Sequence, residues 1–178
     1  QQIQQEVFLG SRDRKKIVII DEAWDLLKEG EVATFMEHAY RKFRKYGGSV
    51  IIATQSINDL YTNAVGQAIA ENSSSMYLLG QTEESVESVR KEKRLALSEG
   101  GFNTLLSVHT VPGVYSELFL KTKNGQGVGR LIVPDFQKLL YSTNPVETNH
   151  IERHEKSGLS VPEAIRMVLK DRENGVMR

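Results

Sequence analysis

The chain has 178 residues, which is enough for one domain with a sizeable core, and its 23 basic side chains are balanced by 23 acidic ones. This balance argues against a protein that coats nucleic acid with a generally basic surface, although a local basic patch remains compatible with it. Cysteine is absent, which excludes disulfides and thiolate metal sites, and no apolar run approaches the length of a membrane span.

The first predicted strand covers residues 17–21 and ends in two adjacent carboxylates. Four consecutive large aliphatic residues, Ile17 to Ile20, favour a strand buried on both faces. An ionised carboxylate beside such a strand needs a cation or strong donors. Asp21 and Glu22 therefore have the form of a Walker B element, in which Asp21 holds Mg²⁺ through water and Glu22 polarises the attacking water. The alternative is an ordinary strand that ends in a polar turn, and for this motif alone it is the better interpretation.

A helix is predicted next, followed by a second buried strand. Residues 31–45 carry apolar side chains at helical spacing, and residues 49–54 form a β-branched run. A strand–helix–strand unit predicts two parallel strands joined by a right-handed crossover, so Thr54 and Gln55 should lie at the same sheet edge as the two acids. Gln55 can then act as a neutral sensor of a terminal phosphate. The alternative for Gln55 is the N-cap of the following helix, a role that Ser56 could take as easily.

The remaining elements complete an α/β prediction for a single domain, residues 1–178. We expect a parallel sheet of strands near 17–21, 49–54 and 75–79 flanked by helices, with an added β-hairpin near 114–133 and helices at the C-terminal end. Asn124-Gly125 is the turn signal of the hairpin. The further expected elements are a helix from the Thr82 cap to Leu97, short helices at 102–108 and 135–140, a polar surface connection at 146–159, and a capping-box helix from Ser160 to about Lys170.

A basic cluster, residues 41–45, lies late in the first predicted helix. The crossover helix runs back along its strands, so Arg44 should lie near the opposite edge from Gln55, roughly 20 Å away at ~3.3 Å per strand residue. Arg44 could therefore serve only a neighbouring subunit, as an arginine finger in trans, with Arg41 as the second choice. The alternative is that these cations only stabilise the C-terminal end of the helix dipole.

Three further patterns are interpreted without catalytic roles. The basic run 90–94 is expected to be a solvated helix face, because glutamates precede it at helical spacing. His150 and His154 do not have the His-Glu-x-x-His spacing of a zinc protease, which predicts a polar surface segment. The glycine-rich stretch 125–129 lies between two predicted strands, so it is expected to be a hairpin loop and not a phosphate loop.

Residues 17–24, 44–56 and 129–133, together with Gly80-Gln81, resemble the C-terminal half of the TraC-like conjugative ATPases of type IV secretion systems. The resemblance implies a partial RecA-like fold, hexameric assembly, and hydrolysis of ATP with Mg²⁺ at the cytoplasmic face of the inner membrane. It also implies a role in pilus assembly and in DNA or protein transfer, with other secretion components as partners. Carried over by motif, Asp21 is the Mg²⁺ group, Glu22 the general base and Gln55 the phosphate sensor, with Thr54 beside it in the nucleotide site.

The sequence departs from this family pattern because it contains no Gly-x-x-x-x-Gly-Lys-Ser/Thr loop. That loop supplies the backbone cradle for the phosphates, so we expect the chain to be a piece of a longer protein that carries half of an ATP site. Alone it should bind nucleotide weakly or not at all and be inactive. Two alternatives remain: a DNA-translocating ATPase of the same superfamily, and a non-catalytic docking module of the secretion machinery.

Overall fold

The computed structural model describes residues 5–11, 13–23 and 30–175. Trp24, the last residue of the stretch 17–24 that carries the family resemblance, lies outside these residues. Two compact units are present: the described residues up to Thr110 together with Glu117–Arg130, and Val111–Ser116 together with the described residues from Leu131 onward.

The first unit contains a parallel strand pair, as predicted. β1 (Lys16–Ile20) and β2 (Gly48–Ile52) pair in parallel, with Lys16 opposite Gly48 and Ile20 opposite Ile52. The connection between them includes helix α1 (Glu31–Lys42), which continues as a 3₁₀ turn (Phe43–Tyr46). Gly47 ends this turn with a φ of 70°, a left-handed conformation that glycine adopts without a Cβ clash.

The prediction that β1 is buried on both faces is wrong for this chain. Burial alternates along both strands, and only one face packs against neighbouring hydrophobic residues, among them Met36 of α1. On the other face Ile17, Ile19 and Ile51 are 65%, 70% and 50% exposed. Helices pack on one side of the pair, and no described element covers the other side, which we call the open isoleucine face.

The second sheet contains the third predicted strand, with a partner that the sequence did not indicate. β3 (Ser75–Leu78) pairs antiparallel with β5 (Tyr115–Thr122), with Leu78 opposite Phe119. β4 (Thr110–Val111) and β6 (Gly125–Leu131) also pair with β5, so the predicted hairpin forms. The α/β class is confirmed, but β3 belongs to the hairpin sheet and not to the parallel pair. An apolar run identifies a strand and leaves its partner open, because pairing depends on residues distant in the chain.

The first unit also contains a short π-helical segment (Gln5–Leu9), three further α-helices and a second 3₁₀ segment. The last four are the 3₁₀ segment Ile57–Tyr61, α2 (Ala64–Asn72), α3 (Glu83–Lys91) and α4 (Glu99–Ser107). Thr82 caps α3 as predicted, but the helix ends six residues before the expected Leu97. Ser98 caps α4, and the N–H of Gly101 donates to its Oγ at 3.1 Å. Gly100 and Gly101 therefore lie in the first turn of this helix. The core between these helices and the hairpin sheet includes Val86, Leu105 and Phe119.

The second unit consists mainly of three helices: α5 (Asp135–Leu140), α6 (Pro145–Lys156) and α7 (Val161–Glu173). The polar connection predicted for 146–159 is wrong, because α6 occupies most of it. Pro145 stands at its start, and Val146 N–H donates to Asn144 Oδ1 at 2.9 Å. Ile151 supplies the buried contact of α6 to a core with Leu139 and Ile165. The capping box of Ser160 and Glu163 is confirmed. Among the described helices, none is both long and apolar enough to cross a membrane.

Candidate functional site

The carboxyl end of β1 is a fixed turn that carries both candidate acids. Asp21 and Glu22 follow Ile20 directly, and both are exposed. Glu22 has a φ of 49°, a left-handed conformation that is uncommon outside glycine and costs about 1–2 kcal/mol. Its N–H donates to Asp21 Oδ1 at 2.9 Å, which holds one acid against the other's backbone. The residue with the strained backbone is therefore Glu22, which the sequence predicts to be the general base.

Main-chain hydrogen bonds join the ends of β1 and β2. Ala53 N–H donates to Ile20 O at 2.9 Å, and Ala23 N–H donates to Ala53 O at 2.9 Å. Ala23 is fully buried, which anchors the turn on the far side of Glu22. The parallel register thus continues past both strands, and it places the acids of one strand at the same edge as the residues that follow the other.

Thr54 and Gln55, which follow the end of β2, differ in their surroundings. Thr54 Oγ1 donates to Ser56 O at 3.1 Å, whereas the side chain of Gln55 is exposed and has no hydrogen-bond partner within the described chain. Ser56 is the N-cap of the next segment: Asn58 N–H donates to its Oγ at 3.2 Å, and its own N–H donates to Asp59 Oδ2 at 3.0 Å. The alternative that Gln55 is the N-cap is therefore wrong, because Ser56 forms the complete capping box.

This edge has the donor set that Mg²⁺ prefers but only part of a site. Carboxylate and amide oxygens are hard ligands, and Mg²⁺ keeps several waters when one or two carboxylates bind it. No group of three or more potential metal-ligating side chains occurs in the described ranges. The two acids fit a cation whose remaining ligands are water and phosphate oxygens, and they do not fit a metal held entirely by protein.

The two candidate arginines are in different situations. Arg41 pairs with Glu37 one helical turn earlier, with 2.8 Å between its Nη2 and Oε1 of the glutamate. Arg44 is exposed in the 3₁₀ turn before β2 and has no ion pair within the described residues. Since β2 separates Arg44 from Gln55, the two lie beyond opposite ends of this strand, whose five residues span roughly 17 Å at ~3.3 Å each. Of the two arginines, Arg44 is therefore the one without an ion pair among the described residues.

The patterns without predicted catalytic roles have structural partners. His154 Nε2 lies 3.0 Å from Asp171 Oδ2, which joins α6 to α7. The prediction that the glycine-rich stretch 125–129 is a hairpin loop is wrong, because this stretch is the start of β6 and the turn before it is Lys123-Asn124. In the basic run, Arg90 pairs with both Glu87 and Glu99.

Sequence reasoning missed Glu117, a buried charged side chain on β5. Arg130 Nε donates to its Oε1 at 3.0 Å, and His109 Nδ1 lies 3.1 Å from Oε2. The hydrogen bond from Arg130, with a backbone hydrogen bond and charge from His109, holds the pKa of Glu117 below its usual range despite partial desolvation. The signal in the sequence was an acid directly before the apolar run 118–120 of this strand.

The geometry defines a class of protein: an α/β domain with a parallel strand–helix–strand unit whose polar strand ends meet at one edge. Comparison with known families places it more closely. The chain belongs to the TraG P-loop domain family, whose model matches residues 7–172.

Individual relatives agree with this membership. The chain is 27% identical over 174 residues to protein TraC of Escherichia coli (strain K12), which confirms the expected resemblance; the match covers 92% of this chain and 19% of that protein. The structure of VirB4 of Thermoanaerobacter pseudethanolicus superposes with a TM-score of 0.59 at 21% identity, over 76% of this chain and 36% of that one. At 21% identity, the similarity to VirB4 shows a shared fold and nothing further. The chain spans about a fifth of the length of the curated relative that it matches.

Proposed function

We propose that this chain supplies the hydrolytic half of an ATP site in a motor of a conjugative type IV secretion system. Membership of the P-loop family and likeness to TraC support a nucleotide-hydrolysing protein of conjugation. The observation that carries the proposal is the edge where Asp21 and Glu22 meet Gln55. The main-chain bonds of Ala53 hold this edge together.

Each side chain has one role in the proposal. Asp21 holds the water shell of Mg²⁺, and the bound ion would neutralise phosphate charge. Glu22 accepts a proton from the attacking water, and its backbone, fixed by Asp21 and Ala23, sets the direction of its carboxylate. Gln55 contacts the terminal phosphate with its exposed amide, and Thr54 lines the nucleotide site beside it.

The phosphate-binding half of the site must come from elsewhere, because the sequence has no Walker A loop. We propose that another part of the protein supplies it and that the 178-residue chain alone holds ATP weakly or not at all. The open isoleucine face supports this proposal. A sheet in an α/β domain of this class is covered on both faces, and here one apolar face is exposed.

Arg44 completes the proposed motor between subunits. It is exposed, lacks an ion pair in the described ranges, and lies at the other end of β2 from Gln55. A cation in that position suits the nucleotide of a neighbouring copy and not its own. The intact protein would then work as a ring, with a hexamer as the expected form. It would energise pilus assembly and DNA or protein transfer beside other secretion components at the cytoplasmic face of the inner membrane.

The test is the replacement Glu22→Gln in the intact protein. Losing a general base lowers turnover by about 10²–10⁴-fold, while the amide keeps the size of the side chain. The matched control is Glu6→Gln, the same change at an exposed residue away from the strand ends. An ATPase rate that Glu22→Gln leaves at the level of the control would contradict the catalytic assignment and favour a docking module.

A further inference from the structure

A pocket of about 580 Å³ lies in the first unit, away from any residue assigned to the ATP site. The turn after α3, the end of α2, β3 and the β5–β6 turn contribute to its wall. Its charged lining is mainly cationic, and we call it the lysine pocket. The charged side chains are Lys93, Arg94, Lys121 and Lys123, with Glu71 and Glu92.

The charges in this pocket are not balanced. Glu92 forms an ion pair with Arg94, whose guanidinium carbon also lies 5.9 Å from the ring centroid of Tyr61. The three lysines have no ion pair with any residue in the described part of the chain. Glu71 is the one remaining carboxylate of the lining. Three lysines therefore line one cavity with a single carboxylate that has no ion pair among the described residues, and a negatively charged ligand would stabilise this arrangement.

Lys93 stands where helix geometry favours a different residue. Its φ is 53°, and it follows the C-cap of α3. Its N–H donates to Arg90 O at 3.1 Å, and Arg94 N–H donates to Val89 O at 2.9 Å. These two bonds form a Schellman motif, whose left-handed position is usually glycine because a Cβ is strained there. Helix termination does not explain a lysine here, but its ammonium group at the pocket does.

The chemistry of the lining points to phosphate. A lysine ammonium is a compact point charge suited to phosphate oxygens, and three of them match a ligand with several such groups. The Ser74 hydroxyl adds a further donor, since it has no hydrogen bond in the described structure. Tyr61, the aromatic residue of the lining, is buried at 6% exposure, so it is not available to stack on a base.

We propose that the lysine pocket binds adjacent phosphate groups of a polyanion by charge, independently of base identity. Two sources share this chemistry: the backbone of a single-stranded nucleic acid and a free polyphosphate. The proposal does not depend on the ATP site, because no residue of the pocket is assigned to it. Each can therefore fail without the other.

The test measures binding of a fluorescent dT 20-mer and of tripolyphosphate to the 178-residue chain across a salt series. We expect binding of at least one probe that weakens as salt rises. The variant Lys93→Gly should weaken it about fivefold, the upper range for an exposed ion pair. It should leave the melting temperature unchanged or higher, because glycine suits the left-handed position. Adding Lys121→Gln and Lys123→Gln should lower the salt slope for the oligonucleotide by ~0.7 for each lysine that contacts a phosphate.

A control variant tests whether binding depends on the pocket, and a comparison of probes distinguishes a nucleic-acid strand from a free polyphosphate. Lys91→Gln removes the same charge from an exposed residue of α3 that does not line the pocket, and it should weaken binding less than Lys93→Gly does. Tight binding of the 20-mer together with weak binding of tripolyphosphate assigns the site to a nucleic-acid strand, and the reverse assigns it to a free polyphosphate. The proposal is overturned if neither probe binds, if Lys91→Gln weakens binding as much as Lys93→Gly, or if a poly-glutamate peptide binds more tightly than both phosphate probes.

Discussion

Arg130 on β6 donates a hydrogen bond from Nε to the buried carboxylate of Glu117 on β5, across 3.0 Å. His109, which precedes β4, approaches the same carboxylate from the other side. A buried carboxylate without partners would be costly, and here Arg130 and His109 both contact it. The pairing joins the side chains of the two hairpin strands, and through His109 it links the hairpin to the segment that follows α4.

The pH dependence of stability should show this unit. The pKa of Glu117 is lowered in the folded state, so its contribution is complete above the usual carboxylate pKa and is lost as pH falls through the lower folded value. Glu117→Gln cannot titrate, and its amide group would face the N–H of His109. We expect a lower melting temperature near neutral pH and a flatter decline between about pH 5 and 3, measured by circular dichroism. Equal declines for both proteins would contradict the assigned role of the Arg130 bond.

Neighbouring residues at the end of β2 should separate chemistry from folding. Ser56→Ala removes the cap of the 3₁₀ segment and should cost about 1 kcal/mol of unfolding free energy. Gln55→Ala removes an exposed side chain without a described hydrogen bond, so stability should change by less than about 0.5 kcal/mol. In the intact protein the Gln55 variant should nevertheless lower kcat by about tenfold or more, because the proposed contact with the terminal phosphate would be lost. A stable Gln55 variant with normal kcat would remove Gln55 from the site.

The proposed role of Arg44 between subunits can be tested by experiments that distinguish it from a purely structural role. Arg44→Ala in the intact protein should lower ATP turnover by about 10³-fold, whereas Arg41→Ala should lower it far less because Arg41 already pairs with Glu37. Mixing Arg44→Ala subunits with Glu22→Gln subunits should restore part of the activity, since some interfaces then combine an intact arginine with an intact base. Inactive mixed rings, with exchange of subunits verified by mass spectrometry, would rule out action in trans.

The core of the first unit should respond strongly to truncation. Phe119 is 1% exposed and packs among residues of α3 and α4, so Phe119→Ala should cost about 3–5 kcal/mol. Leu79, one residue beyond β3, is 60% exposed, and Leu79→Ala serves as a control with an expected cost below about 0.5 kcal/mol. Chemical denaturation measures both, and comparable costs would show that the core is not centred on β5.

The open isoleucine face predicts self-association of the isolated chain. Exposed apolar strands adhere to one another, so Ile19→Thr should reduce association at high concentration in sedimentation experiments. In the intact protein the same change should be destabilising, because we propose that the remainder of the domain covers this face. Ser49→Thr, a small polar change on the same face of β2, is the control and should alter neither property.

The sequence contained enough information for the local features of the fold. Apolar runs located β1, β2 and β3, Asn124-Gly125 located the hairpin turn, and Ser160 with Glu163 located the start of α7. These signals are local because strand propensity, turn conformation and capping each depend on a few adjacent residues. The family resemblance was likewise predictable, since it depends on short stretches of consecutive residues.

Features that depend on distant residues were not predictable in this way. The partner of β3, the uncovered face of β1 and the burial of Glu117 each depend on which elements meet in space. α6 was missed because its described buried contact is mainly one residue, Ile151, so its apolar period is weak. For the candidate ATP site, the sequence was enough to predict which residues lie at the strand ends. It was not enough to predict the left-handed backbone of Glu22.

The tie between Ala23 and Ala53 is made by peptide groups and needs no particular side chain. Side-chain changes at the exposed Ala53 should therefore leave the bond intact. Ala23 is fully buried and leaves no room for a larger side chain, and proline at position 23 would also remove the N–H that the bond depends on. Mechanically, Gln55 and Glu22 are each two residues or fewer from this one bond. If phosphate release displaces the end of β2, the displacement would reach Glu22, the proposed general base, through the main-chain bonds of Ala53. Recognition of the nucleotide state and readiness for hydrolysis would then change together.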